Sequence, residues 1–343
     1  MGAGIAGAML GRRLGRKALI AGAVLGTLPD LDILIDYGDP LSQMINHRGF
    51  SHSVFVLTAL SAFLTWLVRR RRPRDGRVDW RMFLTIWLVL ITHTLLDAFT
   101  SYGTQLWWPL RPTPASWSSI FIIDPFYTLP LLVPVLVALA VGPGTALRRA
   151  MTIAVLMGGA YLLASIGIKH WAEARVVRLL DEHGIKHVDT FSAPQPFNIL
   201  LWRVVVRTGS DDYIEAVTGV FDRRPPEFVR FPSNTALSKA IDRPKYIDGL
   251  RWFTGNWLRF DAIENQLIVS DLRMGIGSGH YSFRFLVARR NPETGQWTAV
   301  TPRYWHGGPA GRDMEALKMV LRRVWQSEPP LPLQQWDMRM TLP

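Results

Sequence analysis

The sequence predicts an α-helical, multi-spanning membrane domain of about five helices, followed by a β-rich α+β soluble domain. Three observations predict it. Apolar runs crowd the front of a chain of 343 residues that is 48% hydrophobic, 19% charged and carries 14 Trp. Acidic groups are rare there, 8 in the first 172 residues against 19 in the remaining 171. Thirteen Lys/Arg fall in three short patches, 12–17, 69–81 and 148–149, each beside an apolar run, as the positive-inside rule requires of cytoplasmic connections. The chain therefore divides into a membrane-embedded domain (1–170), a helical linker (171–189) and a β-rich domain (190–343).

Residues 1–17 are Gly/Ala-rich and then basic, and residues 18–28 are apolar. A basic start and small residues would suit a signal peptide. A retained first helix is the better reading, because the run leads straight into Pro29-Asp30 and further spans follow. Pro29 disfavours a helical Leu28, so helix geometry should break there. A second run covers 53–68 and ends in Arg69-Arg70-Arg71-Arg72, with Ser51 as a candidate N-cap. Residues 83–99 form a third span, interrupted only by His93 and Asp97. A Trp-, Pro- and Ser-rich loop follows over 100–125, and Trp107, Trp108 and Trp117 suit an interfacial belt. Spans at 126–141, which Pro130 and Pro134 can kink, and 151–168 complete the set. Each long run is slightly shorter than the roughly 20 residues a bilayer wants.

After Lys169 the character changes. Short β-rich runs at 200–206, 213–220, 267–270, 281–288 and 297–300 alternate with turn-forming stretches such as Thr208-Gly209-Ser210. Residues 315–325 read as a helix before a Pro-rich tail.

Composition excludes some functions. Cysteine is absent, which rules out disulfides and thiolate metal sites. A metal here must be held by nitrogen and oxygen, which suits Zn²⁺ and also Mn²⁺ or Mg²⁺. The net charge of +12 first suggests nucleic acid. Its confinement to patches beside apolar runs, without aromatic-interleaved basic motifs, argues for no nucleic-acid partner.

Polar groups bordering membrane segments call for a reason. With the basic patches placed in the cytoplasm, Asp30, Asp32, His47, His52, His93, Asp97 and Asp124 all fall on the opposite side. His93 and Asp97, four apart on a helix, share one face. They suit one ion, or equally a polar pair joining two helices. Asp30 and Asp32, two apart, would point the same way in an extended segment after Pro29. His47 and His52 flank Gly49. Asp124 opens a span as a ligand or merely as its cap. A cluster of this type suits one or two divalent ions and a water whose pKa the ion lowers toward about 7. Asp32 is the candidate general base. Arg48 and Ser51 are candidates to contact a phosphate or ester oxygen, though Arg48 could instead reach lipid headgroups.

These motifs, Leu28-Pro29-Asp30-Leu31-Asp32, His47-Arg48-Gly49-Phe50-Ser51-His52-Ser53, His93-Thr94-Leu95-Leu96-Asp97 with Thr100 and Gly103, and Ile123-Asp124-Pro125, resemble in kind and order those of the YdjM-like membrane-bound metal-dependent hydrolases, over about residues 1–170. The resemblance implies a multi-pass protein of the bacterial inner membrane, a divalent metal and hydrolase activity, with membrane lipid as environment and candidate substrate. It implies Asp30, Asp32, His47, His52, His93, Asp97 and Asp124 as metal ligands. The expected function is cleavage of a phosphoester or ester of a lipid-like substrate by metal-activated water, with the site and the rear domain on the extracytoplasmic side. A metal-stabilised, non-catalytic membrane scaffold is the alternative. An ion transporter is less favoured, since its polar groups would spread through the membrane depth.

Overall fold

In the computed structural model, the described residues are 1–71, 80–241, 244–276, 280–306 and 312–335. Arg72, Arg74 and Arg77 of the central basic patch lie outside them. The chain forms two compact units: Met1–Ile35, His47–Trp117 and Asp124–Ala164 make one, and Asp36–Asn46, Ser118–Ile123 and Ser165–Pro343 the other.

The first unit begins with a helical hairpin, α1 (Gly2–Leu14) and α2 (Arg16–Thr27). Gly15 turns it at φ 55°, a left-handed backbone that favours glycine. The two helices touch through small residues. A Cβ on Gly22 would lie 2.5 Å from the Ala6 Cβ, so a larger residue there would force the helices apart. Gly/Ala richness, which reads as loop-forming, is here the condition for close helix packing. After Pro29 the chain forms a 3-10 turn, Pro29–Leu34, and not the extended segment expected. Leu28 keeps right-handed helical angles although α2 ends before it. After α3 (Pro40–Asn46), which belongs to the second unit, come a second 3-10 turn at Phe50–His52, α4 (Val54–Arg71), α5 (Trp80–Ala98) and α6 (Pro125–Val141). Leu57 on α4 packs against Ile86, Leu90 and Ile91 on α5. Ile5 and Ala6 pack on Val89 of α5. Leu129, Leu132, Val133, Leu136 and Val137 leave an apolar face of α6 exposed, as a bilayer-facing helix requires.

Helix α7 (Thr145–Glu182), whose residues to Ala164 belong to the first unit and from Ser165 to the second, runs unbroken through the expected last span and most of the expected linker. By length and composition α5 and α7 can cross a membrane, and a third span results if Pro40–His52 and Val54–Arg71 are taken together. Among the described residues the expected count of about five is not reached on this criterion, because α2 is only 12 residues long and α6 is 17. The basic patches gather at one end. Arg16 donates to the Ala140 carbonyl at 2.5 Å, Gly11 lies against Pro143 and Arg148, and Lys17 and Arg71 border one cleft.

The second unit is rich in sheet. Strands β1 (His187–Pro194), β2 (Leu201–Thr208), β3 (Asp212–Gly219) and β4 (Glu227–Pro232) pair in sequence order as an antiparallel sheet. Central strand β2 is buried on both faces. Val204 and Val206 meet Val176 and Leu180 of α7, while Leu201 and Val205 belong to a core with Val320 and Val324. Then follow α8 (Pro244–Thr254), β5 (Leu258–Ile263), β6 (Gln266–Asp271), the short pair β7 (Gly275–Ile276) and β8 (His280–Tyr281), β9 (Arg284–Arg290), β10 (Trp297–Tyr304) and α9 (Arg312–Trp325). The second sheet has the order β10-β9-β6-β5. All five expected β-rich runs fall on strands, while β1, β4, β5, β7 and α8 are additional.

Candidate metal centre

Four side chains from three separate stretches converge in the helical unit. Asp30 comes from the first 3-10 turn, His52 from the second, and His93 and Asp97 from one face of α5, four residues apart. Asp30 Oδ1 lies 3.4 Å from both His52 Nε2 and His93 Nε2. Asp97 Oδ2 lies 3.1 Å from His52 Nε2 and 3.4 Å from His93 Nε2. All four donor atoms sit within 4.8 Å of one another, and the group can hold a metal ion. A four-coordinate ion with donors at about 2.0–2.1 Å separates neighbouring donors by about 3.3–3.4 Å.

The donors fit an ion better than they fit one another. His52 Nε2, His93 Nε2 and Asp97 Oδ2 are buried and make no hydrogen bond, although the atoms across from them are only 3.1–3.4 Å away. Buried polar atoms left unpaired are costly. A cation at the centre would satisfy all three at once.

Neighbouring groups fix the tautomer this requires. The Ser51 hydroxyl donates to Asp32 Oδ2 at 2.7 Å. Its only proton is thereby used, so the 2.9 Å contact with His52 Nδ1 must be a hydrogen bond donated by the ring. That leaves the His52 Nε2 lone pair facing the cluster, the arrangement in which a ligating histidine is held by its other nitrogen. Thr94 then ties the His52 carbonyl to α5 at 2.6 Å. Arg48 sits at φ 61°, contacts Asp97 Oδ1 at 3.3 Å and donates to Thr100 Oγ1 at 3.1 Å. Its guanidinium lies over the Tyr102 ring.

The structure thus sorts the residues expected at the site. Asp30, His52, His93 and Asp97 come together. Asp32 and His47 sit alongside and bond to each other at 2.9 Å. Both Asp32 oxygens are engaged, Oδ1 by His47 and Oδ2 by Ser51 and the Arg48 N–H. Burial pushes the Asp32 carboxyl up, but its hydrogen bonds with His47 and Ser51 outweigh this and hold it below the usual carboxylate value. Asp124 is the N-cap of α6, accepting from the Phe126 and Tyr127 N–H groups and from the Tyr161 hydroxyl. Ser51 does not cap α4; its hydroxyl serves Asp32. Arg48 is buried and turned toward Asp97 and Thr100. Thr94, which sequence reasoning passed over, positions His52. Its only signal was a hydroxyl on the polar face between His93 and Asp97.

Exposure is graded. His52 is fully buried, His93 and Asp97 are 19% and 14% exposed, and Asp30 is 51% exposed, so the cluster opens to the outside at Asp30.

A helical unit able to cross a membrane, with a His/Asp group able to hold a metal ion at helix ends, defines the class. Residues 1–173, which contain every one of these donors, match the YdjM inner membrane protein family, and the chain belongs to that family. It is similar to inner membrane protein YbcI of Escherichia coli K12, with 36% identity over 96 residues, 27% of this chain and 52% of that protein. It is also similar to the uncharacterized protein YfhP of Bacillus subtilis 168, with 26% identity over 209 residues, 59% of each chain. The alignments thus span little more than half the length of these relatives. No solved structure matches the chain.

Proposed function

We propose that this protein is a membrane-bound, metal-dependent hydrolase that cleaves a phosphoester or ester of a lipid-like substrate. The observation that carries the reading is the convergence of four donors, three of them with buried atoms that no protein group satisfies. The ligand set is Asp30, His52, His93 and Asp97. When bound, a divalent ion supplies Lewis acidity and lowers the pKa of a water.

The residues divide the remaining work. Asp30 is the most exposed of the four, and its second oxygen lies outside the converging set. It takes the proton of the attacking water as the new oxygen bond to phosphorus or acyl carbon forms, and returns it to the leaving oxygen as the old bond breaks. Asp32, already saturated with hydrogen bonds, is a positioning group for His47, Ser51 and, through Ser51, His52. Arg48 orients Asp97, and Asp124 anchors the start of α6. Zinc suits the imidazole and carboxylate donors, with Mn²⁺ or Mg²⁺ also compatible.

The gathering of the basic residues at one end of the helical unit supports a multi-pass arrangement with that end in the cytoplasm and the metal centre and rear domain outside it. On this reading the chain has a membrane domain over 1–170 and a β-rich extracytoplasmic domain over 190–343. The expected five passes then require α2 and α6 to contribute despite their length.

The second reading is a metal-stabilised scaffold. It rests on the donor count, since four protein ligands are typical of structural zinc. Turnover separates the two. Metal-loaded protein assayed on phosphodiesters and esters of diacylglycerol should hydrolyse at least one, and chelation or His93→Ala should reduce the rate to background. A metal-loaded protein inert on every substrate, which unfolds on chelation, overturns the hydrolase.

A further inference from the structure

A second cavity lies among the helices, away from the metal centre. It has a volume of about 610 Å³ and is bordered by α1, α2, α4 and α5. That is within the range of ligand pockets, roughly 300–1,000 Å³. Its walls are Leu10, Ala21, Leu25, Leu64, Leu67 and Ile86, among other apolar side chains. Its only charged borders are Lys17 and Arg71, both exposed and both cationic. Among the described residues neither pairs with an acidic side chain. Arg71 closes α4 and Lys17 opens α2, so both lie at the basic end of the helical unit, whereas His93 and Asp97 occupy the other end of α5.

We infer that this cleft binds one anionic glycerophospholipid from the cytoplasmic leaflet. An acyl chain fills the apolar groove, and the phosphate rests between Lys17 and Arg71. Charge complementarity selects the occupant. An apolar groove alone would take any lipid tail, but two cations at its mouth, without an acidic partner among the described residues, favour an anionic headgroup. The inference depends on the membrane-spanning reading and not on hydrolysis, because none of these residues touches the metal donors.

The test uses the full chain in phosphatidylcholine nanodiscs, titrated with phosphatidylglycerol and read by native mass spectrometry, with metal content measured in parallel. Wild type should retain about one phosphatidylglycerol in preference to phosphatidylcholine. The Lys17→Gln/Arg71→Gln double variant should bind phosphatidylglycerol about 25-fold more weakly, at about fivefold per cation. Ala21→Phe, which fills the groove, should lose retention of both lipids. Metal content should stay at the wild-type level in all three proteins, which keeps failure here distinct from failure of the metal site. Equal retention of the two lipids by wild type, or undiminished phosphatidylglycerol binding by the double variant, overturns the proposal. So does a dimer that holds no lipid and dissociates in Ala21→Phe, since the occupant would then be a second copy of this chain.

Discussion

In the β-rich part, Asp261 meets Arg259 at 2.8 Å, Asp271 meets Arg273 at 2.8 Å, and Glu215 is held by Arg203 and the Tyr281 hydroxyl. In the helical part, His52 is buried and His93 and Asp97 are half-buried, and His52 Nε2, His93 Nε2 and Asp97 Oδ2, with His–Asp contacts of 3.1–3.4 Å, make no hydrogen bond. The two regions bury the same classes of group under different rules. In the sheets each of these carboxylates has an arginine beside it, so its charge is balanced within the protein. Around α5 Arg48 reaches Asp97 Oδ1, but the imidazole and carboxylate donors of four residues converge on one point that a cation would fill. Burial alone does not distinguish a structural polar network from a binding site; the convergence of several donor atoms on one point does.

Substitutions can break this comparison. The largest expected effect is on the sheet side. Arg203→Met leaves Glu215 buried between β2 and β3 without its cation, and should cost about 3–5 kcal/mol. Thermal unfolding followed by circular dichroism should show the midpoint falling by roughly 10 °C, with metal content unchanged. A variant as stable as wild type would mean that the pair contributes little. Ser51→Ala sharpens the other side with a smaller effect. It removes the acceptor that holds the His52 ring while keeping all four donors. Metal affinity should fall about 10–100-fold, measured by competition with a chelator of known affinity, while the far-ultraviolet spectrum stays that of wild type. Unchanged affinity would remove the tautomer argument.

Much of the site was legible in the sequence, and the reasons for the misses are local. His93 and Asp97 were read correctly as sharing a face because helical spacing is reliable in a long apolar run. An extended segment after Pro29 would point Asp30 and Asp32 the same way. In the 3-10 turn that forms there, with about three residues per turn, residues two apart point roughly 120° away from each other. One carboxylate joins the cluster and the other serves His47 and Ser51. Asp124 could not be told from a cap by pattern alone. Helix α1 has no strong apolar pattern of its own, since Gly2, Gly4, Gly7 and Gly11 gain their meaning only from the partner helix packed on them. Strand β4, Glu227–Pro232, carries too little alternation to declare itself. It is fixed by pairing with β3, as in Ala216 opposite Phe228.

The central claim is that Asp30, His52, His93 and Asp97 hold one cation. The most direct measurement is the metal content of purified full-length protein by plasma mass spectrometry, for wild type and His52→Ala side by side. Wild type should carry about one divalent ion per chain and His52→Ala close to none, because a missing donor leaves the others too few to hold it. Wild type free of metal after growth and purification with zinc and manganese supplied, or equal metal in both proteins, would contradict the claim.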